Sequence, residues 1–154
     1  MTPMSPLLQT MLAVHVVSGV LGVICLYALW MALLHRQVSL PFSRVAALAA
    51  AVLLILAWLS GGYYYVVHYG AAVKPVILTS AYPWAHAFFT ETKEHLFLFL
   101  PFAAAVMAIT LWLRVGSAPL GDPLKRALAG VAGTATLIGI FVTLAGIVIS
   151  GAVR

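Results

Sequence analysis

What most limits the fold of this chain is the recurrence of long apolar runs with no Asp, Glu, Lys or Arg inside them. There are four, from about Leu8 to Leu34, from Val45 to Val67, from His95 to Leu113 and from about Ala127 to Val153. Crossing a ~30 Å hydrocarbon core takes about 20 apolar residues in a helix, and a helix satisfies its own backbone polar groups where no water can. Charged residues make up only 7% of the chain, against roughly a quarter in a soluble domain. The expected fold class is therefore all-α: one integral membrane domain over residues 1–154, an up-down-up-down four-helix bundle with helices at about 8–34, 45–68, 83–113 and 123–153.

Local signals place the boundaries. Pro41 and Ser43 separate segments I and II, and Pro83 opens a helix that runs through Trp84–Thr92 into segment III. Asp122 followed by Pro123 reads as an N-cap and first-turn proline opening segment IV. Pro101 falls inside segment III and is expected to bend it. The opening MTPMSPLLQ has no basic stretch of the kind that precedes a cleaved leader, so segment I is read as a retained helix. Cys25, the single cysteine, has no partner for an intramolecular disulfide and is read as a small core hydrophobe.

Orientation follows from the basic residues. Arg36, Arg44, Arg114, Lys125 and Arg126 fall in the I–II and III–IV connections, whereas Lys74, Lys93 and Arg154 fall at the other side. The positive-inside rule then puts both termini and the II–III connection outside, in a bacterial inner membrane. That connection, Tyr69–Tyr82, is apolar and aromatic, and is expected to lie in the outer interface.

Folding the chain back and forth brings His15, His68, His86 and His95, from three different segments, to the outer edge. Imidazole at the rim of hydrocarbon needs a partner. Helical spacing puts Gly19 and Gly22 on the face of His15, and Ala57, Gly61 and Tyr64 on the face of His68. Such small-residue faces serve close helix packing or leave room for the edge of a flat macrocycle. His95 follows Glu91 by one turn and precedes Phe99 by one turn, so the Glu91 carboxylate is positioned to orient a ligating imidazole. His86, nine residues before His95, points the opposite way if the helix is continuous. His35 at the inner end is a charged flank.

This plan resembles the four-helix membrane cytochromes b of quinone-linked dehydrogenases and the b561-like group, a resemblance of architecture over most of the chain. It implies haem b held by two histidines from different helices, His95 with His15 or His68, the ring lying on Gly19, Gly22 and Gly61 and walled by Tyr64 and Phe99. Those families commonly place ligands at both faces. Here the inner half holds only His35, which limits the expectation to one haem at the outer side.

Two other readings stay open. His95, His15, His68, His86, Glu91 and Glu94 offer nitrogen and oxygen ligands suited to Cu, Fe or Zn, although the Glu-x-x-His spacing of di-iron bundles is missing. Alternatively the chain is a cofactor-free anchor of a larger membrane complex, its outer carboxylates and histidines holding a partner or lining a quinone pocket. Midplane charges of the kind transporters use are absent, and the net charge of +5 comes from loop residues, so nucleic acid is not expected as a partner. The functional expectation is a membrane electron-transfer subunit linking the quinone pool to an extracytoplasmic redox protein.

Overall fold

A computed structural model of the chain describes residues 4–114 and 120–152. Val153 and Arg154, assigned above to the outer end of segment IV, lie outside the described residues. All regular structure among the described residues is helical. Four stretches are long and apolar enough to cross a membrane: Pro6–Leu34, Leu40–Leu78, Ala85–Trp112 and Asp122–Gly151.

Helix α1 (Pro6–Leu34) starts ahead of its apolar run because Ser5 caps it. The Ser5 hydroxyl accepts from the Leu8 N–H at 3.4 Å, and Pro6 sits in the first turn, where a missing N–H costs nothing. Helix α2 (Leu40–Tyr64) likewise begins early. Pro41 and Ser43, expected between segments I and II, are inside its first turns, with the buried Ser43 hydroxyl donating to the Ser39 carbonyl at 2.9 Å.

The main correction concerns Tyr69–Tyr82, expected as an interfacial connection. The helix instead continues past α2 as a π-helical segment, Tyr65–Val73, and then as α3 (Lys74–Leu78). The resulting run from Leu40 to Leu78 has 39 residues, about twice the ~20 that a helix needs to cross the hydrocarbon. A second π-helical segment, Ala85–Thr90, leads into α4 (Glu91–Phe97). After a one-residue interruption at Leu98 the helix resumes as α5 (Phe99–Trp112). Pro101 accounts for the break, since it cannot donate to the Phe97 carbonyl and its ring crowds that group. Helix α6 (Asp122–Gly151) is capped at Gly121, one residue before the expected Asp122, which lies in the first turn.

The helices close into a ring in which α1 packs on α2 and α6, and α5 on α2 and α6. The interior is lined by Leu26, Leu29 and Leu33 of α1, by Ala47, Ala50 and Leu54 of α2, by Leu100, Ala104 and Met107 of α5 and by Ala132 and Ala135 of α6. Large apolar side chains such as Leu59, Phe102, Val106, Leu137 and Ile147 face outward. In water this surface would be an association hazard; in lipid it is a solvated one. Buried hydroxyls are satisfied within their own helices, Ser60 donating to Leu56, Thr136 to Ala132 and Thr143 to Gly139.

Close approach between helices is carried by glycine. A Cβ on Gly22 would lie 2.8 Å from Leu54 Cγ, one on Gly133 2.8 Å from Trp30, and one on Gly139 2.6 Å from Val23 Cγ2. At the basic end, Arg44 Nε and Nη2 donate to the carbonyls of Leu111 and Arg114 at 3.0 and 2.6 Å, and Lys125 Nζ donates to the His35 carbonyl at 2.6 Å. Cations thus close the C-terminal ends of α5 and α1 from a neighbouring helix.

Gly139→Val is expected to lower the unfolding free energy by about 1–3 kcal/mol through overpacking against Val23. Gly130→Ala, where nothing lies within 4 Å of the added carbon, should leave stability unchanged or raise it by up to about 1 kcal/mol. Unfolding midpoints of the two variants in mixed micelles check both.

Candidate functional site at the histidine end

His15, His68, His86 and His95 each have a different surrounding. His15 lies between α1 and α2, and its Nδ1 is 2.8 Å from the Ala57 carbonyl. A carbonyl only accepts, so Nδ1 carries the proton and Nε2 keeps its lone pair. The imidazole rests on Gly61, where any side chain would overlap the ring. Leu54 fills the space beside Gly22, and the Ala57 Cβ is 3.7 Å from the position a Gly19 Cβ would take. The glycine faces expected to admit a macrocycle edge are therefore occupied by the protein's own side chains, because the helices have closed to packing distance on them.

His68 is half-buried and packs on Tyr64 of its own helix, with ring centroids 5.5 Å apart. His95, expected as the principal ligand, is exposed, and its Nδ1 donates to the Glu91 carbonyl at 2.6 Å. The Glu91 carboxylate does not orient it. Phe99 is also exposed and walls no interior site. Among the described residues no three His, Cys, Asp or Glu side chains are gathered as a metal ion would need, so the six-residue ligand set is not assembled here.

His86 is the histidine taken into the interior, at 3% exposure. The opposition between His86 and His95 stands, with their roles exchanged. His86 sits in the π turn over Ala85–Thr90 and His95 in α4, so the α-helical period alone does not fix which of them faces inward. His86 Nδ1 is 3.1 Å from the Tyr69 hydroxyl, which in turn is 3.0 Å from Thr90 Oγ1. Thr90 Oγ1 lies 3.3 Å from the Ala85 carbonyl. On its other side, His86 Nε2 is 3.5 Å from Glu91 Oε1. Both π segments contribute, Tyr69 from the first and His86 with Thr90 from the second. The apolar bed beneath is Val73, Ile77, Ala85 and Ile149.

Two hydrogen-bond directions satisfy this row, and they differ by one proton. In the first, Thr90 donates to Tyr69 and Tyr69 donates to Nδ1 of a neutral His86, whose Nε2 lies 3.5 Å from the Glu91 carboxylate. In the second, His86 is doubly protonated, so Nδ1 donates to Tyr69, Tyr69 to Thr90, and Thr90 to the Ala85 carbonyl. Passing from one to the other turns both hydroxyls and keeps Nδ1 and both hydroxyls paired. Glu91 is 47% exposed at its side chain while His86 is buried, so the row connects interior to surface.

Lys93 and Glu94 extend the polar group. Lys93 is half-buried, with Nζ 3.6 Å from the position a Gly146 Cβ would take, and lies within electrostatic reach of Glu94 and His15. The Tyr65 hydroxyl approaches the Glu94 carboxylate. Glu94 Oε1 is buried with no hydrogen-bond partner among the described residues. The sequence pattern singled out Glu91, Glu94 and His86 but not Tyr69 or Thr90. Tyr69 read as one more ring in an interface belt, and only the π windings bring its hydroxyl to His86.

Comparisons with known protein families, with curated proteins and with solved structures find no match to this chain.

Tyr69→Phe removes the hydroxyl that joins His86 to Thr90 and leaves a buried imidazole nitrogen unpaired. The expected loss of stability is about 1–3 kcal/mol. Glu91→Gln, at an exposed carboxamide, should cost under about 1 kcal/mol. Denaturant titration in micelles of both variants checks the ordering.

Proposed function

We propose that this chain is a membrane subunit that takes up and releases protons at its outer face in step with the oxidation or reduction of a quinone-type carrier. The observation that carries this reading is the row from buried Thr90 and Tyr69 through His86 to exposed Glu91. Ionisable groups set inside an apolar bundle are costly and mark proton or substrate paths. A quinol that gives up its electrons must also lose its hydroxyl protons, and a base within hydrogen-bond reach of the bundle interior is the chemistry it needs. His86 is that base, and Glu91 passes the proton to water. Glu94 Oε1, buried without a partner, is a second place for a proton to rest.

The bundle spans the bilayer in an up-down-up-down sense, with both termini and the 79–84 turn outside. Supporting this, Arg44 of α2 meets the end of α5, and Lys125 of α6 meets the end of α1, at the same basic face. An extracytoplasmic redox protein or a larger complex at the outer face then receives the electrons.

A haem shared with a partner subunit is the second reading. It is favoured by the hydrogen bonds of His15 and His95, both of which donate from Nδ1 to a carbonyl and so leave Nε2 able to bind a metal. One chain alone does not fit an internal pair, because His95 is exposed and His15 is packed on Gly61. When bound, such a haem would supply one-electron transfer.

The purified full chain in nanodiscs is expected to bind a short-chain benzoquinol or naphthoquinol. Binding should weaken at least tenfold in His86→Ala and persist in His35→Ala. If neither quinol binds the unaltered protein, the proton-handling reading falls. A Soret band that shifts on dithionite addition and disappears in His95→Ala would favour the haem instead.

With Cys25 replaced by Ala, a cysteine placed at Ser80 should react with a membrane-impermeant maleimide added to intact spheroplasts. One placed at Gln37 should react only after permeabilisation; the reverse pattern would invert the orientation.

A further inference from the structure

The basic end of the bundle holds a feature the proton-handling reading does not use. An open cavity of about 630 Å³ lies where the α1–α2 connection meets the start of α6, and Arg36, Arg44 and Lys125 line it together with Asp122. Three cations against one carboxylate leave the wall positively charged. Among the described residues the only ion pair is His86 with Glu91, so none of the three cations is neutralised by a carboxylate. Arg44 and Lys125 are held in place by the backbone carbonyls they cap. That arrangement fixes where they sit and keeps their charge. Ser39, which precedes α2, also lines the cavity and makes no side-chain capping bond.

A phosphate suits this set of donors. Guanidinium groups bind its oxygens in pairs, lysine adds a point charge, and the ends of apolar helices are where phosphate groups lie in a bilayer. We propose that this cavity seats the phosphate of an anionic phospholipid from the leaflet at the basic face. The proposal shares only bilayer insertion with the proton-handling reading, and it stands or falls separately. A soluble phosphate offers the same chemistry, and the test separates the two sources.

The full chain is reconstituted in nanodiscs of phosphatidylcholine containing a small fraction of phosphatidylglycerol, then released for native mass spectrometry. Retention of phosphatidylglycerol over phosphatidylcholine is expected. Arg36→Gln, whose side chain makes no hydrogen bond within the described residues, should weaken retention roughly fivefold, the factor for about 1 kcal/mol per cation. Arg36→Gln with Lys125→Gln together should approach the square of that factor. Because Lys125 also closes α1, the sign-reversed variant Asp122→Asn guards against a folding artefact: removing the carboxylate should tighten retention. Equal retention of both lipids, or no response to Arg36→Gln and Asp122→Asn, would overturn the proposal. So would a shift in melting temperature with inorganic phosphate that matches the phosphatidylglycerol effect, which would assign the cavity to a soluble anion.

Discussion

Polar groups set among these helices are held by partners inside the protein, because the surrounding surface is apolar; among the described residues Glu94 Oε1 is the exception. The chain does this in three ways. Hydroxyls of Ser60, Thr136 and Thr143 return to carbonyls one turn back on their own helix. His15 reaches across to the Ala57 carbonyl of the neighbouring helix. Tyr69, Thr90, His86 and Glu91 satisfy one another in a row. The first two arrangements close on themselves. Only the third ends on a group exposed at the surface.

The two ends of the bundle divide the polar chemistry. One end concentrates cations on helix C-terminal carbonyls and leaves a cavity with a positive wall. The other holds every carboxylate of the chain except Asp122, together with the buried histidine. Between them lies an interior of Leu and Ala, tightened by glycines whose Cα atoms bear on Leu54, Trp30 and Val23. No Asp, Glu, Lys or Arg side chain is buried in that interior among the described residues.

The π-helical segments carry the side chains of the histidine-end site, Tyr69 on one and His86 with Thr90 on the other. The wider π turns over Tyr65–Val73 and Ala85–Thr90 depart from the α-helical period, so the facing of Tyr69 and His86 does not follow from that period alone. Both segments fall at the same end of the bundle and each contributes to the same row of hydrogen bonds.

Apolar run length and charge sparsity were enough to determine four membrane-length helices, and Asp122 with Pro123 marked the start of the fourth to within one residue, whereas the second runs past its expected end at 68 to Leu78. Helical period put His86 and His95 on opposite faces only for a continuous helix, and the π turn over Ala85–Thr90 breaks that condition. The period did not determine which of them faced inward, since that depends on how the π segment winds. Nor did it reveal that Tyr69 belongs to a helix reaching Leu78, because an aromatic, apolar stretch at an interface has the same composition whether coiled or helical. Glycine faces beside His15 and His68 were legible as grooves. Only the packed helices decided that Leu54 and the His15 ring fill them, because a groove's occupant is chosen by the neighbouring helix and not by the residues that make it.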